Sequence, residues 1–533
     1  MTDTTTDSNR ARILAVGIDG ASFNLIGRWL DEGRLPQLRA LIEGGTSGEL
    51  TSCIPPVTMP AWRVFSTGKG PGKLGVFWHQ QLDVQTRKVT TPSAADIHSS
   101  DLWHYLNAAG YRTGVVGMPD TYPPRPLDGF MVCGGPSAGE EGYTYPAQLE
   151  EELRREVGYR PVIKGDLQEG GEDSPLVREI LDTVDRTFAA GQYLLERYPV
   201  DFLCVTTFDI NRLQHFFFDG RSTLEAWQTL DRWLGRLVPQ FDYTLILSDH
   251  GTEPVRKAYF LNVWLRQKGY LHTRFHPMDI LPRLGINRSR VGRLVQGLGL
   301  TRLFSYETLV RYGSMLPQAT GGFGEYGNQS AVNRVDWSRT RVFALPQGPI
   351  YINRDLVPDA QDYERLRDEL IQGLRELVDP DTGRPVVRQV FRREEVYSGE
   401  HLAQAPDLVV LDEDAYHNRA GLGQQDVFAS GWRWKGNNRY QGMFVLAGQG
   451  IRAGHRLEGA RIVDLAPTLL HLAGVPVPED MDGQILSAAL EPNSALAARE
   501  VRRQAPLGSQ GAGETDEEYE EIVGSRLRDL GYL

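Results

Sequence analysis

The strongest constraint on the fold is a set of short apolar runs that stop abruptly at polar residues. Ile13 to Ile18 ends at Asp19 and Gly20, Val200 to Thr207 leads into Phe208, Asp209 and Asn211, and Tyr243 to Ser248 ends at Asp249, His250 and Gly251. Runs of this length without polar alternation are expected of strands buried on both faces. Helical spacing of apolar residues lies around them: Phe23 to Ile42 with Pro36 near an internal helix start, Leu102 to Ala109, residues 173–197, and Leu224 to Leu237. Arg112 to Gly117 reads as a further strand. Strands and helices in alternation predict an α/β fold with a mostly parallel central sheet flanked by helices. Ligands of such sheets sit at the carboxyl ends of the strands, where all three polar segments fall.

The remaining pattern divides the chain. Residues 1–10 are polar and expected to be a disordered lead-in, and 11–254 form the first part of the core. Residues 255–330 mix basic, glycine and aromatic positions and read as an inserted cap. The second part of the core spans 331–493, with a strand at Pro406 to Leu411, another at 442–447 and a helix at Ile462 to Ala473. The tail, 494–533, carries a charged helix from Glu514 to Leu530.

The net charge is -12 with both signs interspersed, which argues against a nucleic-acid polymer as partner. An anionic substrate would then need local positive charge, which a metal ion supplies. Cys53, Cys133 and Cys204 are odd in number and widely spaced, unlike a disulfide framework or a cysteine zinc site. The polar start lacks a signal-peptide core and no apolar run is long enough to span a membrane, so a soluble cytoplasmic protein is expected. Nothing in the sequence speaks to oligomeric state.

Five motifs carry possible chemistry. Asp19 at a strand end suits a metal ligand or a turn. Thr58 stands between prolines before a helix, as an N-cap or as a hydroxyl beside amides that bind anions; a metal would be needed to make it a nucleophile. Asp249 and His250 offer one oxygen and one nitrogen ligand, suited to zinc or manganese, or else an acid and an imidazole that pair with each other. Asn211 and His215 share a face if their segment is helical, either as ligands or as a buried histidine packed on aromatics. Gly436 to Gly442, with Asn438 and Arg439, reads as a polar loop entering a strand.

Together the motifs resemble the alkaline phosphatase superfamily, in its type I phosphodiesterase and nucleotide pyrophosphatase branch, and within it the predicted cytosolic phosphohydrolase/phosphomutase group. The likeness is carried by Gly17 to Gly20, Thr58 to Gly68, Ser248 to Gly251, Val335 to Thr340, Ala405 to Val410, Asp464 to Leu470, Met481 to Gly483 and Arg526 to Leu533. It implies an alkaline-phosphatase-like sheet, two metals, and in-line attack on phosphorus by a hydroxyl. Carried onto this chain, it assigns the first metal to Asp19, Asp249, His250 and the Thr58 oxygen, with Thr58 as nucleophile. The second site falls on Asn211, His215 and Asn438, where the family has an aspartate, a histidine and another histidine. A loop histidine of the family is Leu74 here. Asparagine oxygens suit zinc less well than a harder ion, so the resemblance implies zinc or manganese at the first site and magnesium, manganese, calcium or no ion at the second. Arg212 and Arg439, beside the two asparagines, are expected to bind substrate and steady the leaving oxygen. The expected activity is hydrolysis of a small phosphomonoester or phosphodiester. The alternatives are a one-metal enzyme for phosphonate or sulfate esters, and a noncatalytic phosphate binder.

Overall fold

A computed structural model describes residues 10–163, 165, 167, 171–274, 328–430, 434–508 and 517–530. At its centre is a 10-stranded sheet. The strands Tyr243–Leu247, Ile13–Ile18, Phe202–Thr207, Thr113–Pro119 and Gly129–Gly134 lie side by side in that order, all parallel. Every residue of Ile13–Ile18 and Phe202–Thr207 is buried, which accounts for their apolar, non-alternating sequence.

Helices cover this core. Pro175–Arg197 packs on Arg221–Leu237, each turning an apolar stripe inward. Ser174 caps the first of these by accepting from the Val177 amide, and Pro175 occupies the first helical position, where no N–H is needed. The segment from Phe23 to Ile42 is two helices, Phe23–Asp31 and Pro36–Gly44, broken before the proline.

Two departures from the sequence reading bear on the site. The strand Gln441–Gly448 belongs to the central sheet but runs antiparallel, between Tyr243–Leu247 and Thr46–Thr51. The segment expected as a loop, Gly436–Arg439, is a strand paired antiparallel with Gly251–Pro254, placing Asn438 opposite Thr252. A polar sequence hid this pairing because its partner lies almost two hundred positions away.

A smaller antiparallel sheet is ordered Val342–Ala344, Pro349–Ile352, Leu408–Asp412 and Val387–Arg392. The start of the expected cap is a strand, Lys257–Phe260, and a helix, Leu261–Gln267; 275–327 lies outside the described residues. The charged terminal helix is Glu517–Leu530. Among the described residues no helix is long and apolar enough to cross a membrane.

Candidate metal and phosphoryl site

Strand register builds the first half of the site. Gly17 pairs with Leu247, so Asp19 and Asp249 each follow two residues beyond the same rung of the sheet. Both are buried, as is His250. The backbone turns at Gly20 with φ +71, and a Cβ there would come within 2.4 Å of Asn211 Oδ1; only glycine fits both demands. The Gly20 amide donates to Asp249 Oδ1 at 3.1 Å, and the Ser52 hydroxyl donates to the Asp249 carbonyl at 2.6 Å.

The wholly buried helix Thr58–Thr67 supplies the second half. Thr58 is its first residue. Pro60, in the first turn, has no N–H, and the Ala61 amide already bonds the Val57 carbonyl at 3.2 Å. The amides of Thr58 and Met59 are thus the first-turn donors without an intrahelical acceptor, at the positive end of the helix. One turn on, Trp62 Nε1 donates to Asp19 Oδ2 at 3.0 Å.

Lone pairs converge between these elements. His250 Nδ1 lies 3.0 Å from the Gly251 carbonyl, which only accepts, so Nδ1 carries the hydrogen and Nε2 the lone pair. Nε2 lies 3.6 Å from Asp19 Oδ1, 3.3 Å from Asp249 Oδ2 and 3.5 Å from Thr58 Oγ1. Asp19 Oδ1 and Asp249 Oδ2 are buried without a hydrogen-bond partner. Acceptors gathered in this way repel one another unless a cation or protons neutralise them. The titration directions agree. Burial, then neighbouring Asp249, holds the Asp19 carboxyl well above its usual range; burial pushes Asp249 up to about 8; burial pushes His250 down. Ligand atoms of Asp19, Asp249 and His250 fall within 4.8 Å of one another, so the donor set fits one metal ion.

The second group of predicted ligands is also buried. Asp209–Phe217 is a helix, so Asn211 and His215 sit one turn apart on it. His215 Nδ1 donates to the Gly436 carbonyl at 2.9 Å, and its ring stacks on Trp434 at 3.8 Å between centroids. Burial pushes its pKa down to about 3, so the ring is neutral with Nε2 as the lone-pair nitrogen. Asn438 Nδ2 donates to the Pro56 carbonyl at 2.9 Å, tying this residue to the segment that leads into Thr58, and its buried Oδ1 has no hydrogen-bond partner.

Each of the two arginines has protein partners of its own. Arg212 donates to the carbonyls of Ile163 and Gly165 and sits 3.4 Å from Asp209, so it braces a neighbouring loop. Arg439 pairs with Glu49 at 3.3 Å and lines a cleft that Pro56 and Val57 share. Leu74 is buried in the short helix Pro71–Leu74.

Sequence reasoning gave no role to Trp62, Ser52, Trp434 or His79. Burial, then the nearby His250, pushes the His79 pKa down to about 3. Trp62 carried the one usable signal, its spacing of four from Thr58 on a helix; the others meet the site through tertiary contacts alone.

A mostly parallel sheet whose carboxyl edge gathers two carboxylates, an imidazole and a hydroxyl at a helix start defines an alkaline-phosphatase-like α/β protein. Residues 13–433 match the family model described as type I phosphodiesterase / nucleotide pyrophosphatase, and the chain belongs to this family of phosphoester hydrolases. Among solved structures, phosphonoacetate hydrolase from Sinorhizobium meliloti 1021 in complex with phosphonoformate is similar at 16% identity and a TM-score of 0.53, covering 87% of this chain and 96% of that one. Its complex with phosphonoacetate gives 15% identity and 0.50 over the same shares. Human ectonucleotide pyrophosphatase / phosphodiesterase 5 gives 14% and 0.49, covering 91% of this chain and 100% of that one. At such identities the likeness is one of fold. No curated protein sequence matches the chain significantly.

Proposed function

We propose that the protein is a metal-dependent hydrolase of phosphate esters in which Thr58 is the nucleophile. The observation that carries this reading is the meeting of Asp19 Oδ1, Asp249 Oδ2, His250 Nε2 and Thr58 Oγ1 in one buried spot with two carboxylate oxygens unpartnered. Asp19, Asp249 and His250 would hold the first ion. Bound there, a divalent cation supplies a Lewis acid that lowers the pKa of the hydroxyl and offsets phosphoryl charge. His215, with Asn211 and Asn438, offers a weaker second set.

The chain's own residues do the rest. Thr58 presents its oxygen at the helix start, and the Thr58 and Met59 amides face the non-bridging phosphoryl oxygens as charge develops. The Thr58 Oγ–phosphorus bond forms as the bond to the leaving oxygen breaks, and the hydroxyl proton of Thr58 ends on the departing alcohol. Water then cleaves the Thr58–phosphorus bond, returning the hydroxyl and releasing the phosphoryl product. Trp62 holds Asp19 in place, and burial keeps bulk water from competing. The buried thiols of Cys53, Cys133 and Cys204, none in a disulfide, fit the expected cytoplasmic setting.

The test is a panel of p-nitrophenyl phosphomonoesters, phosphodiesters and sulfate esters, with a phosphonate added, assayed with zinc, manganese or magnesium. Phosphate-ester turnover that needs a metal and is lost in Thr58→Ala supports the reading. Full turnover in Thr58→Ala, or turnover unaffected by chelators, refutes it.

A further inference from the structure

The helix Glu517–Leu530 is remote from His215 in sequence, yet one indole joins the two. Trp434 is buried, and its ring stacks on that of His215 at 3.8 Å between centroids and 18° between planes. Its Nε1 donates to the Leu530 carbonyl at 3.1 Å. That carbonyl belongs to the last turn of the helix, where carbonyls find no intrahelical amide and carry the negative end of the helix dipole. An indole N–H suits this position, because a buried one needs an acceptor.

Residues 434–436 grip His215 in three ways. Trp434 covers the ring, the Lys435 amide donates to the His215 carbonyl at 2.6 Å, and the Gly436 carbonyl accepts from Nδ1 at 2.9 Å. The approach is close: a Cβ on Gly436 would fall 2.5 Å from the Gln214 carbonyl oxygen. The two contacts of the ring do different things. The Nδ1 bond decides that Nε2 carries the lone pair, but a single hydrogen bond leaves the ring free to turn about its axis. A face-to-face stack removes that freedom and so sets the direction in which Nε2 points.

The helix itself is seated away from the ligands. Val523 and Leu527 are buried, and Tyr519 stacks on Tyr122 at 5.7 Å between centroids. Arg526 donates to the carbonyls of Pro136, at 3.2 Å, and Ala138. Tyr122, Pro136 and Ala138 follow the strands Thr113–Pro119 and Gly129–Gly134, which run parallel to Ile13–Ile18, so the helix lies along the sheet edge that holds Asp19. At its far end, Arg526 and Leu530 share a small cavity with Asp209 and Arg212 of the helix that carries His215.

We infer that the helix Glu517–Leu530 is a positioning element for the second ligand set, acting through Trp434 on His215. Docked, it fixes the indole and with it the aim of His215 Nε2. Undocked, it takes away the acceptor of the indole N–H, and the imidazole is free to turn about its Nδ1 bond. Asp19, Asp249 and His250 depend instead on strand register and Trp62, so their geometry is independent of this helix. The inference rests on His215 being a ligand in the proposed hydrolase.

The test is a manganese titration of the full chain, with free ion read by electron paramagnetic resonance. Trp434→Phe keeps a ring for stacking and removes the Nε1 donor. Arg526→Ala loosens the helix and touches neither Trp434 nor His215. The parent should bind one tight and one weaker ion. Each variant should weaken the second by at least about tenfold, as loss of an outer partner of a ligand does, and the first by less than about twofold. If one variant fails to fold by its melting curve, the other decides. An unchanged weaker ion in either folded variant, or equal weakening of both ions, overturns the positioning role. A single ion in the parent also overturns it and leaves the threonine hydrolase standing on its first ligand set. No bound manganese or zinc at all overturns the proposed function and this inference together.

Discussion

Trp62 Nε1 reaches Asp19 Oδ2 at 3.0 Å from one turn beyond Thr58, so a single helix carries both the hydroxyl and the group that orients its neighbouring carboxylate. Asp19 Oδ1 is thereby turned toward His250. Trp62→Phe removes the donor and keeps most of the ring. It should weaken metal binding by about 10–100-fold, as loss of an outer partner of a ligand typically does. Calorimetric titration with zinc or manganese measures this, and unchanged affinity would show that Asp19 needs no such support.

The same helix is anchored by a buried ion pair. Arg63 lies 3.0 Å from Asp101, which also accepts from Ser66 at 2.7 Å. Both charged side chains are almost wholly buried. Asp101→Asn leaves the Arg63 charge without its partner, a change that costs about 3–5 kcal/mol. Urea unfolding of the two proteins reads this difference directly.

The two asparagines of the second ligand set set the third prediction. Asn211→Asp with Asn438→His replaces two neutral oxygens by a carboxylate and an imidazole beside His215. The double variant should bind one more zinc equivalent than the parent, counted by elemental analysis after dialysis. Unchanged stoichiometry would place the limit elsewhere than in these two side chains.

Asp120 predicts a pH effect. It follows the strand Thr113–Pro119, has φ +59, and keeps a buried oxygen without a hydrogen-bond partner. Burial pushes its carboxyl up to about 6, with Ser137 and Arg63 offsetting only part. The unfolded value is about 3.9. Between the two the folded state binds the extra proton, so stability contributed by this group is full below about pH 4, falls as pH rises, and is lost above about pH 6. Asparagine tolerates this backbone and carries no charge. Asp120→Asn should therefore stabilise the protein at pH 8 by up to about 2–3 kcal/mol and give no advantage near pH 4. Melts at the two pH values decide it.

Much of the frame was legible in the chain. The runs ending at Asp19, Thr207 and Asp249 marked parallel strands because strands buried on both faces are mostly apolar, and their ends point to one edge. The strand Gly436–Arg439 was not legible. Its residues are polar, and it exists because Gly251–Pro254 offers an edge to pair with. The place of Arg212 was equally hidden: adjacency to Asn211 in sequence put it beside the site, whereas its guanidinium turns to the carbonyls of Ile163 and Gly165.

The sequence by itself determined the layered α/β architecture and the residue types at the sheet's edge, since apolar periodicity and chemically capable side chains are local properties of the chain. Only the tertiary structure decided that Asp19, Thr58, Asp249 and His250 converge, and which backbone atoms fix the tautomers of His215 and His250. Those relations depend on strand register and on contacts across hundreds of positions, and long-range geometry of that kind leaves no periodic trace in the order of residues.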